Sequence, residues 1–232
     1  MGLLTDTDGL GYPKRTLPLI FLIETAGYMH GTRIGLLNTL IEEALPNIAC
    51  RSDNEANLII KIAVLKYSTE AKWVTPTLTP VKDYIWSNLE AEGLSNLGAA
   101  CLKLNDKLSR KEFFCNYSYP PVIFLICGAD PTDDYLRGIN ILEQNKWFQK
   151  SLRIAFAVGN DIDYKMLEDF TDKSKAVLKK LTPNEIIKVV DYYIGTLDGE
   201  TPFEQDSLFK LLVGSSNNGN STLLDQEDYD DW

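Results

Sequence analysis

Between residues 17 and 196 short apolar runs alternate with stretches of helical periodicity, and this alternation restricts the chain more than any other feature. It is the pattern of βα units wound into a mostly parallel sheet with helices on both faces. The runs LPLIFLIE (17–24) and PPVIFLICG (120–128) are almost free of polar residues, as strands are when both faces are covered. NLIIKIAVLKYS (57–68) reads as a long strand. AKWVTPTLTP (71–80), after the Ser68-Thr69-Glu70 turn, reads as its antiparallel partner, held to an edge by Pro76 and Pro80. SLRIAFAVG (151–159) and AVLKKL (176–181) supply further strands. The expected class is therefore α/β: a doubly wound, Rossmann-like, mostly parallel sheet with one antiparallel edge strand.

The helical stretches fall between these runs. Residues 32–45 carry Ile34, Leu37, Ile41 and Leu45 at helical spacing, with Pro46 placed to stop the helix. Residues 95–110 form a second helix with Ser95 in the N-cap position, and helices over 134–147 and 163–171 follow. The last, 182–197, opens with Thr182 as cap and Pro183 at the first helical position. Outside the domain at 17–197 lie an N-terminal extension (1–16), a short C-terminal helical segment (198–214) whose apolar side is Phe203, Leu208, Phe209, Leu211 and Leu212, and an acidic flexible tail (215–232).

Charge and composition narrow the function. The net charge of -10 speaks against nucleic acid, whose binding rests on a basic face. Half of that charge lies in the closing DQEDYDDW, which reads as a solvated tail, the alternative being that Tyr229 and Trp232 among the acids anchor it to a basic groove on a partner. No run approaches the roughly 20 apolar residues of a membrane helix. The first residues lack a basic start, apolar run and cleavage site, and the cysteines at 50, 101, 115 and 127 form no CxxC pair and read as small buried residues. A cytoplasmic protein is expected.

The common catalytic devices are missing. There is no GxxxxGKS/T phosphate loop, no GxGxxG after a strand and no GxSxG elbow. His30 is the one imidazole and sits in a loop, as a surface residue does. What remains is three segments at strand ends, IETAGYMHG (23–31), EGLSNLGAA (92–100) and FLICGADPTDD (124–134), which a doubly wound sheet brings to one crevice.

In order and spacing these three segments resemble the von Willebrand factor A (VWA) domain, and most closely the bacterial tellurite-resistance TerY type, over residues 17–196. The loops of that type read approximately DTSGSMxG, GGTxLGAA and TDGxPTDD; here they are ETAGYMHG, EGLSNLGAA and CGADPTDD. Gly27, Met29, Gly31, Leu97, Gly98, Ala99, Ala100, Pro131, Thr132, Asp133 and Asp134 agree. The resemblance implies a metal-ion-dependent adhesion site whose carboxylate falls on Glu24, whose serines fall on Ala26 and Tyr28, whose threonine falls on Ser95 and whose aspartate falls on Gly128. Mg²⁺ wants six oxygens at about 2.0–2.1 Å in near-octahedral array. Ala26 and Gly128 have none to give, and the Tyr28 hydroxyl stands roughly 6 Å from its backbone, suited to filling space. The expectation is a degenerate site with no cofactor and no tightly bound metal.

The leading functional expectation is a non-enzymatic protein-interaction module. The resemblance implies a stress-response or phosphorylation-linked setting with kinase-like or phosphatase partners. The contact residues expected at the rim are Thr25, Tyr28, Met29, His30, Ser95, Asn96, Asp130 and Asp133, because loop tips at strand ends are exposed and Tyr and Met suit interfaces. The alternatives are a metal-dependent adaptor whose rearranged site uses Glu24, Ser95 and Asp130, weak Mg²⁺ binding included, and a small Rossmann-like enzyme with Glu24, Asp130 or Asp133 as acid and base. Asp130 otherwise reads as a turn residue, and Asp133 and Asp134 as caps of the helix that follows them.

Overall fold

The fold is seen in a computed structural model, which describes residues 13–111, 113–114, 117–159, 162–171, 176–178, 182–197 and 208. The segments expected at 198–214 and 215–232 lie outside the described residues apart from Leu208, which is buried. Five strands run parallel in the centre: β1 (Arg15–Glu24), β2 (Leu58–Tyr67), β5 (Val122–Cys127), β6 (Leu152–Ala157) and β7 (Val177–Leu178). Two short strands, β3 (Ala71–Trp73) and β4 (Thr79–Pro80), pair antiparallel with β2. The order is β3-β2-β1-β5-β6-β7, with β4 also on β2. The winding therefore reverses between β1 and β5, and a ligand crevice is expected outside the carboxyl ends of those two strands.

β1 alternates between two cores, and this follows from its period-2 geometry. Leu17, Leu19, Phe21 and Ile23 face a cluster with α1 (Thr32–Asp53) and α6 (Pro183–Leu197). Ile20 and Leu22 face a cluster with α2 (Leu97–Leu108), α3 (Tyr135–Leu142), α4 (Lys146–Lys150) and α5 (Tyr164–Thr171). The α/β class with helices on both faces is thus as the pattern indicates. Among the described residues no helix is long and apolar enough to cross a membrane.

Several local expectations are corrected. The first helix does not stop at Pro46 but continues to Asp53, because the proline lies on the exposed side, where water can reach the carbonyl it leaves free. Leu45, Ile48 and Ser52 meanwhile extend the buried stripe. The single edge strand is two short pieces: at Thr75 the chain leaves the ladder, and the Thr75 hydroxyl replaces a backbone acceptor for the Val64 N–H at 2.9 Å. The helix expected over 134–147 breaks in two, since Asn145 caps a new start by accepting from the Trp147 N–H at 3.0 Å. The strand expected from residue 17 begins at Arg15, inside the stretch assigned to the extension. Cys50 is exposed, whereas Cys101 and Cys127 are buried. At α6 the Thr182 cap is as expected and reciprocal: Thr182 Oγ1 accepts from the Glu185 N–H at 3.3 Å while the Glu185 carboxylate accepts from the Thr182 N–H at 2.9 Å.

A strap positions the site. From Tyr84 to Asn96 the chain has no regular structure and crosses from the sheet edge, over α1, to the start of α2. Asn38, buried on α1, holds it: Nδ2 donates to Leu89 O at 2.9 Å, and Oδ1 accepts from Leu89 N–H at 2.8 Å and Trp86 Nε1 at 3.3 Å. Farther on, Glu92 N–H donates to Thr25 O at 2.8 Å and Gly27 N–H to Gly93 O at 2.9 Å, so the strap is fastened to the loop after β1.

Candidate functional site

Glu24 is the last residue of β1 and is fully buried at the winding reversal. Its Oε2 accepts from the backbone N–H of Gly128 at 2.7 Å and of Ala129 at 3.1 Å, the first residues after β5. The methylene that distinguishes glutamate from aspartate gives the reach for this crossing. Its other oxygen, Oε1, and the hydroxyl of Ser95 are both buried without a hydrogen-bond partner. Burial raises the Glu24 pKa above its ordinary 4.5, outweighing the Gly128 and Ala129 amides and the nearby Ser95 hydroxyl, which favour the charged form. The charge of Asp130 adds to the rise.

The 3₁₀ turn Gly27–Met29 brings Tyr28 across the top of this crevice. A Cβ on Gly128 would stand 3.1 Å from Tyr28 Cε1, 3.1 Å from Met29 Sδ and 2.7 Å from Val158 O. A Cβ on Gly159 would stand 2.8 Å from the Tyr28 hydroxyl. The phenol ring therefore occupies the space that side chains at 128 and 159 would need, as its expected space-filling role requires. Gly159 also has a φ of +93, which other residues rarely adopt. The outer face of the ring carries the Arg33 guanidinium 4.2 Å from its centroid, and Arg33 also donates to Tyr28 O at 3.2 Å.

Not all of the residues expected at the rim are there. His30 and Asp130 are exposed and Tyr28 is half-exposed. Thr25, Met29 and Ser95 are buried. Thr25 extends the ladder instead, its N–H (2.7 Å) and Oγ1 (3.1 Å) both donating to Tyr67 O. Asn96 is half-buried and knits three loops: Nδ2 donates to Thr69 O at 2.9 Å and Oδ1 accepts from Thr132 Oγ1 at 2.8 Å. Asp130 Oδ1 accepts from the Asp163 N–H at 2.7 Å, which ties the third loop to the start of α5.

The capping assignments are redistributed. Ser95 is not the cap of α2. Asn96 holds that position without a side-chain cap, and Asp133 supplies it from the third loop, accepting from Gly98 N–H at 2.9 Å and Ala99 N–H at 2.8 Å. Asp134 alone caps the helix that follows, accepting from Arg137 N–H at 3.1 Å. Gly98 and Gly138 make this possible: a Cβ on Gly138 would stand 2.8 Å from Gly98 Cα, so α2 and α3 cross close together and Asp133 reaches α2. Asn38, Gly159 and Thr69 were not singled out by the sequence. Of these only Asn38 had a signal, an amide within the apolar stripe of α1.

Among the described residues no group of three or more His, Cys, Asp or Glu side chains stands together as a metal site. The groups present can anchor backbone, fill space and present a rim.

No family model and no curated protein matches the chain by sequence. Solved structures match by fold. The proximal thread matrix protein 1 of the mussel byssus superposes with a TM-score of 0.54 at 13% identity, covering 74% of this chain and 45% of that one. The same protein with a zinc-occupied MIDAS motif gives 0.54 at 14% identity, covering 77% and 47%. The ArnB paralog VWA2 of Sulfolobus acidocaldarius gives 0.51 at 16% identity, covering 73% and 42%. The chain thus spans less than half the length of these structures. At such identities the likeness concerns the backbone alone, and together with the strand order it establishes that this chain has the fold of a VWA domain.

Proposed function

We propose that the protein is a non-enzymatic protein-interaction module, a VWA domain of the TerY type that binds a partner through its loop rim without a metal ion. The observation that carries this reading is the Tyr28 ring lying against Gly128 and Gly159. A hard divalent cation such as Mg²⁺ needs several convergent oxygens, and the residues here do not fit that need. Glu24 Oε2 is committed to two amides, Ala26 and Gly128 have no side-chain oxygen, and the Tyr28 hydroxyl lies beside Gly159. The agreement of the three loop motifs supports a cytoplasmic stress-response or phosphorylation-linked setting with a kinase-like or phosphatase partner. The contact residues are then the half-exposed Tyr28 and the exposed His30 and Asp130, with Asn96 and Asp133 as positioning residues behind them.

A second reading is favoured by one observation: Glu24 Oε1 and Ser95 Oγ are buried without a hydrogen-bond partner, as oxygens that await an ion would be. Thermal unfolding in millimolar Mg²⁺ or Mn²⁺ separates the two. The first reading predicts no saturable stabilisation, and a saturable rise lost in both Glu24→Ala and Glu24→Gln would establish the metal-dependent adaptor. For the rim, affinity capture with the intact chain and with Tyr28→Ala/His30→Ala is expected to lose the partner in the variant. Equal recovery would count against the rim.

A further inference from the structure

A second polar site lies beside the rim, on the α1 side of the sheet edge. A cavity of about 380 Å³ opens between the β2–β3 hairpin and the strap, with Lys66 and Lys72 on one wall and Glu90, Glu92 and Gly93 on the other. Lys66 and Lys72 are direct register partners across the antiparallel pair, so two ammonium groups face the same side of the sheet. Like charges placed in this way destabilise a strand pair unless something between them answers the charge. Lys72 has its answer in Glu70, at 2.7 Å. Lys66 is half-buried, and its ammonium has no hydrogen bond or ion pair among the described residues.

The walls are preformed. Thr69 Oγ1 accepts from the Leu94 N–H at 3.1 Å, and Asn96 N–H donates to Ser68 O at 3.1 Å. Gly93, with φ +79, allows the strap to touch the hairpin, because a Cβ there would stand 2.4 Å from Thr69 Oγ1. The volume falls in the range of small-ligand pockets, roughly 300–1,000 Å³. Its lining holds two lysines and three glutamates, so a bare anion such as phosphate would meet more negative than positive charge. A ligand that carries both signs meets complementary charge throughout.

We propose that this cavity is a peptide-recognition site, taking from a partner an extended segment in which an acidic residue pairs with Lys66 and a basic residue two positions on pairs with Glu90 and Glu92. Alternate side chains of an extended segment point the same way about 7 Å apart, so one segment can offer an acid to one wall and a base to the other. The inference rests on the domain being an interaction module, but its test needs no native partner. Failure here leaves the Tyr28/His30 rim standing, and failure of the rim leaves this site standing.

The test is an amide-resonance titration of the full chain with the peptide acetyl-Gly-Glu-Gly-Lys-Gly-amide. Saturable shifts confined to residues 66–72 and 90–93 are expected. Lys66→Gln should bind about tenfold more weakly, the loss typical of a charge-assisted hydrogen bond. Replacing the peptide's Glu by Gln should have a like effect on the native protein and little on Lys66→Gln. Glu90→Gln/Glu92→Gln should lose discrimination between the peptide's Lys and a norleucine. All of these positions are half-exposed or exposed, so the variants fold. Absence of saturation by about 20 mM, where a Kd of about 1 mM is already saturated, would overturn the proposal. So would shifts lying elsewhere, or equal affinity for Lys66→Gln.

Discussion

Replacing Glu24 distinguishes a carboxylate that anchors backbone from one that holds a ligand. In Glu24→Ala the N–H groups of Gly128 and Ala129 lose their acceptor. A buried donor left unsatisfied costs about 1–3 kcal/mol, so the two together cost about 2–6 kcal/mol. Relief from burying a partly charged group offsets some of this, leaving a net loss of about 3 kcal/mol. For a chain of this size that lowers Tm by roughly 6–12 °C. Glu24→Gln keeps the acceptor for the two amides and removes the charge. The pH dependence then fixes the role of the charge. Burial raises the folded pKa of Glu24 above its ordinary 4.5, so the folded state binds the proton more tightly than the unfolded state. Stability from this source is present in full below the ordinary value and is lost as pH rises through the raised one. Differential scanning calorimetry from about pH 4 to about pH 8 should therefore show Glu24→Gln near wild type at the acid end and above it at the alkaline end. If Glu24→Gln fell as far as Glu24→Ala at neutral pH, the anchoring argument would be wrong and the charge itself would be required.

Other perturbations test other joints. Asn38→Ala removes three hydrogen bonds to the strap and should cost about 2–4 kcal/mol in urea unfolding, with faster hydrogen exchange at the Leu89 amide. Asp133→Ala uncaps α2 from another loop and should cost about 1–2 kcal/mol, whereas Ser95→Ala, which caps nothing, should leave α2 intact by the same measurement. Gly159→Ala should destabilise through both its φ and the Tyr28 hydroxyl, and in a Tyr28→Ala background the second part should vanish, giving a coupling of about 1 kcal/mol in a double-mutant cycle.

The sequence displayed the sheet because parallel strands covered on both faces are close to apolar throughout, as β5 and residues 17–23 of β1 are. It displayed the convergence of three loops because double winding leaves a single reversal point. The space-filling role of Tyr28 followed from side-chain length. Exposure was the weak link. Thr25, Met29 and Ser95 occupy loop positions but are buried, because Thr25 continues the β1–β2 ladder and the strap covers the loop it belongs to. Local capping rules likewise assigned α2 to Ser95, whereas the donor set is completed from 35 residues away by Asp133. Pro46 misled for a related reason: it lies on the exposed side of α1, where water can reach the carbonyl it frees, and the buried stripe continues past it.

The loops at the strand ends hold one another more than they hold their own segments. Glu24 of the first binds the third at Gly128, Thr132 of the third donates to Ser95 O of the second at 2.6 Å, and Gly27 of the first is tied to the strap at Gly93. Variation at this rim is consequently collective. A loop transplanted singly from another protein of this fold would arrive without its counterparts, whereas the three exchanged together would carry their joints with them. Under the proposed interaction role, a library aimed at a new partner should randomise the half-exposed Tyr28 and the exposed His30 and Asp130 while leaving the mutual fastenings untouched.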